Sequence, residues 1–153
     1  KMVDLKDVVF EYYYNPYTKG SNSIKAVLPA VLNSSAFLQA KYGQSIGQVG
    51  VSSSNFSPEH IWLKKDNGQV VNPYKMLPPL FEGWTEMELE ENVSEIDGIA
   101  DGGMALTAYA KLQYQDMTDK ERGEITGGLL KYCELDTLAM VMIYEHFKEM
   151  IAE

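Results

Sequence analysis

The stretch LLKYCELDTLAMVMIYEHF, residues 129–147, decides how this chain is read. Leu135, Leu138, Ala139, Met142, Phe147 and Met150 recur at steps of three and four or nearly so, the period of an amphipathic helix. At about 100° per residue, Tyr132 and Asp136 project along the edge of that apolar face. Glu145, Lys148 and Glu149 project elsewhere. A carboxylate on a packed face is costly unless it is hydrogen-bonded, paired or bound to a metal. Two readings of Asp136 follow. Either it caps a shorter helix that begins at Thr137, or it is a metal ligand in an active site.

The segments upstream are also mostly helical in pattern. Leu5, Val8, Val9 and Tyr12 form a helical stripe closed by Asn15-Pro16. Ser21 or Ser23 can cap a helix carrying Ile24, Val27, Leu28 and Val31, and Pro29 should kink it unless it starts a new turn. A further short helix over "SAFLQAKYG" ends at Gly43. Residues 44–58, rich in Gly, Ser and Gln, read as a long loop. Asp66-Asn67-Gly68 marks a hairpin within residues 60–74. Prolines then interrupt regular structure, and Tyr74, Phe81 and Trp84 are expected to tie that loop to the core. Helix resumes at "MALTAYAKLQY", preceded by Asp101 or Gly102. Thr118 to Glu121 fits a capping box opening a helix toward Gly127-Gly128, with the terminal helix following from Leu129. The expected fold is mainly α with one small β-hairpin.

A chain of 153 residues is long enough for one domain with a real core. No apolar run approaches a membrane span, so no membrane partner is expected. Cys133 is the only cysteine, which rules out an internal disulfide and suits a reducing, cytoplasmic compartment. A net charge of −9 argues against a surface that coats nucleic acid generally. It leaves room for a nuclease, which needs carboxylates for metal and only local cations for phosphate.

Tyr132-Cys133-Glu134-Leu135-Asp136 has the form Y-x-x-x-D. Together with "GSNSIKAVLPAVL", "DGGMALTAY" and the opening "MVDL", it resembles a bacterial domain-of-unknown-function family. The C-terminal domain of that family looks like a DEDD-type 3′–5′ exonuclease with a ribonuclease-H-like fold. The resemblance covers both ends of the chain, while residues 44–95 look like an insertion. It implies that Asp136 binds Mg²⁺ or Mn²⁺ and that Tyr132 positions the attacking water. It also implies a single-stranded DNA or RNA end as substrate of the full-length protein. Physical chemistry is consistent with this, because residues four apart share a helix face and carboxylate-held metal pairs activate water at phosphodiesters.

The chain departs from that family's pattern. A DEDD site also needs a D-x-E motif on a first strand and a further carboxylate motif, and "MVDL" resembles the segment after the second of these. The expectation is therefore a single, partial domain, the C-terminal helical part of an α/β ribonuclease-H-like exonuclease. On its own it should lack nuclease activity, and a homo-oligomer would cover its apolar surface.

Other residues carry weaker signals. Asp4 is either a helix cap or a group behind the metal ligands. Ser21, Ser23 and Lys25 can hold a phosphate at a helix start or simply cap it. Asp101 reads as a cap. His146 falls on the apolar stripe and reads as a satisfied core histidine. His60 has no zinc-ligand partners nearby, and Cys133 has no histidine base. The run Glu86–Glu91 reads as a solvated helix face capped by Thr85. Tyr12-Tyr13-Tyr14 can stack bases or pack. The rival to the exonuclease reading is a non-catalytic helical module that binds a protein partner.

Overall fold

A computed structural model of the chain describes residues 3–79 and 102–152. Its helices are α1 (Leu5–Tyr12), α2 (Ile24–Ser34), α3 (Ala36–Tyr42), α4 (Ile46–Val49), α5 (Gly102–Tyr114) and α6 (Asp119–Ala152). A two-stranded antiparallel sheet pairs β1 (Lys65–Asp66) with β2 (Gln69–Val70). The mainly helical architecture with one small hairpin is as expected. The chain divides into two compact units. One comprises residues up to Pro73 together with those from Leu135 onward, and the other comprises Tyr74–Glu134.

In the first unit the short helices begin where polar side chains satisfy free backbone donors. Asp4 caps α1, its carboxylate accepting from the Lys6 N–H at 2.8 Å. Ser23 caps α2 and Ser35 caps α3, accepting from the N–H groups of Lys25 at 3.4 Å and Leu38 at 3.0 Å. Pro29 lies within α2 and has no N–H to give to the Lys25 carbonyl. The Asn72 side-chain amide donates to that carbonyl at 3.4 Å, and α2 runs on to Ser34. Asn33 donates to the Pro29 carbonyl at 2.8 Å and accepts from the Val70 N–H at 3.0 Å, which ties the hairpin to α2.

Gly43 ends α3 for a reason other than a left-handed turn. Its φ is −77°, and an added Cβ would lie 2.6 Å from the Gln39 carbonyl oxygen. The expected long loop over residues 44–58 is shorter than anticipated. Ser45 and Gln48 form a capping box that opens α4, and Gly50 closes it at φ +74°. The hairpin sits where it was expected, but each strand has only two residues. Asn67 and Gly68 both have positive φ, +48° and +80°, as a two-residue turn matched to strand twist requires.

The core of this unit joins Val27, Leu28, Val31, Leu32 and Leu38 with Leu135, Ala139, Met142 and Ile143, all buried. Two details correct the apolar stripe drawn from the sequence. Met150 is exposed, and Ile143, which that stripe omits, is buried; His146 is buried as its place on the stripe implies.

In the second unit Thr118 opens α6, its hydroxyl accepting from the Glu121 N–H at 3.2 Å. The Arg122 guanidinium donates to the Leu112 carbonyl at 2.9 Å, joining α6 to α5. Ala108, Ile125, Tyr74 and Tyr132 are buried, and the two tyrosine rings lie 6.0 Å apart. The sequence reading placed two helices here, with a break near Gly127-Gly128. One helix of 34 residues runs through instead. Glycine costs a helix interior about 1 kcal/mol relative to alanine, which the rest of so long a helix absorbs. Phe81, Trp84, Thr85, the glutamate run and Asp101 lie outside the described residues. Among the described residues no helix is long and apolar enough to cross a membrane.

Candidate functional site

The continuity of α6 decides between the two readings of Asp136. An N-cap stands outside its helix with extended backbone. Asp136 lies near the middle of α6, so it caps nothing. It is half-buried, one turn after Tyr132, which is buried. Aspartate is a poor interior helix residue because its side chain competes for backbone hydrogen bonds, so capping no longer accounts for its presence there.

Asp136 does not gather a metal centre from the rest of the described chain. Among the described residues no three His, Cys, Asp or Glu side chains come together to hold an ion. The described residues alone therefore do not fit a Mg²⁺ or Mn²⁺ site.

The other sequence candidates sit at helix starts. Asp4 and Ser23 make the capping bonds given above, and the Ser21 hydroxyl accepts from the Ser23 N–H at 3.3 Å. Lys25 occupies the first turn of α2.

Asp4 and Ser23 also border a feature the sequence reading missed. An open trough of about 1500 Å³ runs between α1, the start of α2 and the C-terminal half of α6. Val9, Val27 and Ile143 are its buried floor, while Met140, Val141 and Tyr144 stand exposed along one side. Pockets for small ligands span about 300–1,000 Å³ and are largely enclosed. This one is larger, open and almost wholly apolar. Its signal in the sequence was present but misread. The apolar residues of α6 exceed one stripe, and Met140, Val141 and Tyr144 form a second.

The opposite side of the same helix segment carries polar contacts. Glu145 accepts from the Lys41 ammonium at 2.6 Å and from the buried Tyr42 hydroxyl at 3.0 Å. Glu149 accepts from the Ser35 hydroxyl at 2.5 Å. These two glutamates, read from the sequence as lying off the packed face, are anchors. Burial pushes the Tyr42 phenol well above its usual range, and the adjacent Glu145 carboxylate adds to the shift.

His146 is buried, with the Tyr13 ring edge-on at 5.7 Å. Among the described residues its Nδ1 has no hydrogen-bond partner, standing 3.8 Å from the Glu149 carboxylate, so these residues do not supply the expected satisfied histidine. Burial lowers its pKa, and Glu149 opposes that shift. Ser35, His146 and Glu149 do not form a nucleophilic triad. The carboxylate stands with the serine, where the imidazole base would have to be, and the Ser35 oxygen is engaged as the α3 cap. His60 clusters with Phe56 and Trp62, tilted against Phe56 at 4.4 Å and edge-on to Trp62 at 4.7 Å, and Cys133 is exposed.

Comparison with protein-family models, with curated proteins and with solved structures finds no match to this chain.

Proposed function

We propose that this chain is the C-terminal part of a metal-dependent 3′–5′ exonuclease of the DEDD type and ribonuclease-H-like fold, acting in the cytoplasm. In this reading Asp136 is the last carboxylate for Mg²⁺ or Mn²⁺, and Tyr132 positions the attacking water. The observation that carries the proposal is the place of Asp136. It is a half-buried aspartate in the interior of a continuous helix, one turn after a buried tyrosine. Capping, the ordinary structural explanation, does not apply there.

The remaining carboxylates would come from outside the described residues, so the chain by itself is expected to be inactive. The trough fits this reading as a surface on which further elements of such a domain would pack.

The test is Mn²⁺ added to isotope-labelled protein and followed by NMR. Backbone signals flanking Asp136 should broaden in the wild type and recover in Asp136→Asn. Equal broadening in both proteins would remove Asp136 from metal binding. A second assay uses labelled single-stranded oligonucleotides. Metal-dependent trimming by this chain alone, lost in Asp136→Ala, would contradict the expectation of inactivity.

A second reading is a non-catalytic helical module that holds a protein partner in the trough. It is favoured by the absence of a three-ligand cluster among the described residues. Under it, Mn²⁺ leaves the Asp136 region unperturbed.

A further inference from the structure

The turn after α1 has a composition unlike the rest of this acidic chain. From Tyr12 to Pro58 there is no Asp or Glu, while Lys19, Lys25 and Lys41 are present. Within this stretch Tyr12, Tyr14 and Tyr17 are 79%, 88% and 60% exposed. Tyrosines normally bury most of their ring, since it is the apolar part of the side chain. Three so exposed within six residues need an explanation, and backbone geometry supplies the first part of it.

Tyr13 and Asn15 have extended backbone, so neighbouring side chains alternate in direction. Tyr13 turns inward against His146 and Phe147, and Asn15 is buried. Tyr14, between them, is forced outward. The turn is also well braced. The Asn15 amide donates to the Tyr13 hydroxyl at 3.0 Å and to the Ser34 hydroxyl at 2.8 Å. Its side-chain oxygen accepts from the Tyr17 N–H at 3.0 Å. The Thr18 hydroxyl donates to the Asn15 carbonyl at 2.8 Å. Lys19 follows in the left-handed region at φ +51° and is exposed. The rings are therefore held out by a fixed scaffold, and little backbone ordering remains to oppose binding.

We infer that Tyr12, Tyr14 and Tyr17, with Lys19, form a binding subsite for single-stranded nucleic acid. Exposed aromatic rings with Lys19 in the same turn fit a strand whose bases are free to stack and whose phosphates need cations. A duplex, with its bases already stacked, offers no such faces. In sequence no carboxylate follows Tyr12 until Glu59, which limits near the turn the repulsion that the chain's net charge imposes elsewhere. This subsite deepens the nuclease reading by naming a surface that would hold the substrate strand, and it rests on that reading for its biological substrate. Its own test does not involve metal or Asp136.

The experiment is fluorescence anisotropy of a labelled oligothymidylate in EDTA, with the matching duplex as control and the intact chain as protein. The single strand should bind, and the duplex much more weakly. Tyr14→Ala and Tyr17→Ala should each weaken binding roughly 5- to 100-fold, while Tyr14→Trp retains it. Lys19→Glu should reduce the salt dependence of log affinity by about 0.7 or more. The subsite is overturned if the strand does not bind, if the duplex binds equally well, or if the Tyr14→Ala/Tyr17→Ala double variant binds like the wild type. An Mn²⁺ titration that leaves Asp136 untouched would undo the nuclease reading and not this result. Intact Mn²⁺ broadening at Asp136 beside unaffected strand binding in the tyrosine variants would undo the subsite alone.

Discussion

The two sides of α6 after Leu135 differ in how they are finished. One side closes on α2 and α3 with buried Leu135, Ala139 and Met142, and with Glu145 and Glu149 reaching Lys41, Tyr42 and Ser35. The other side, with Met140, Val141 and Tyr144, faces the open trough. Both sides are apolar, and among the described residues only one is closed over by neighbouring helices. Hydrophobicity thus shows where a helix can pack. Polar groups that meet reciprocally mark where it does pack, because a buried hydroxyl or carboxylate is tolerated only beside a partner.

Substitutions can sharpen or break this contrast. The largest effect is expected at the closed side. Met142→Ala should lower the unfolding free energy by about 2–5 kcal/mol in urea titrations, whereas Met140→Ala should change it by no more than about 0.5 kcal/mol. Equal losses at the two positions would mean that the trough side is packed after all. A smaller effect is expected at Glu145. Glu145→Ala leaves the buried Tyr42 hydroxyl unpaired and should cost about 1–3 kcal/mol. Tyr42→Phe in the same background should then add little, which a double-mutant cycle reads directly.

The smallest effect concerns pH. The folded pKa of His146 lies below its ordinary value of 6.5 because burial disfavours the imidazolium. The unfolded chain therefore binds the proton first as pH falls. The contribution of the neutral, buried imidazole is complete above 6.5 and is lost as pH drops from there through the folded value. The melting temperature of the wild type should fall with acidification relative to His146→Phe. Parallel curves would assign the acid sensitivity to other groups.

Much of the fold was legible locally. The Asp4, Ser23 and Thr118 caps, the hairpin at Asn67-Gly68 and the mainly helical content follow from residue chemistry acting over a few positions. What was not legible depended on partners distant in sequence. Pro29 left the Lys25 carbonyl without a helical donor, and Asn72, which meets that carbonyl, lies far along the chain. Gly127-Gly128 looked like a break because local propensity cannot weigh a long helix stabilised elsewhere. Glu145 and Glu149 were read only as lying off the apolar face, because nothing near them in sequence announced Ser35, Lys41 or Tyr42. For the candidate site, the sequence identified Asp136 and left its role open between cap and ligand. The unbroken helix removed the cap. The trough and the outward tyrosines emerged only once neighbouring elements showed which apolar side chains had been left uncovered.

Gly43 has a consequence for how this fold can vary between species. The Gln39 carbonyl that an added Cβ would strike belongs to a residue fixed on two sides. The Gln39 side chain donates to the Leu32 carbonyl at 2.8 Å and accepts from the Lys65 ammonium at 2.7 Å. The carbonyl itself accepts from the Gly43 N–H at 3.1 Å, so moving it away would also stretch the last bond of α3. Any relative that keeps this bridge between the α2–α3 corner and the hairpin should keep glycine at position 43. A relative carrying a side chain there should have given up the bridge as well, so the two positions should drift together or not at all.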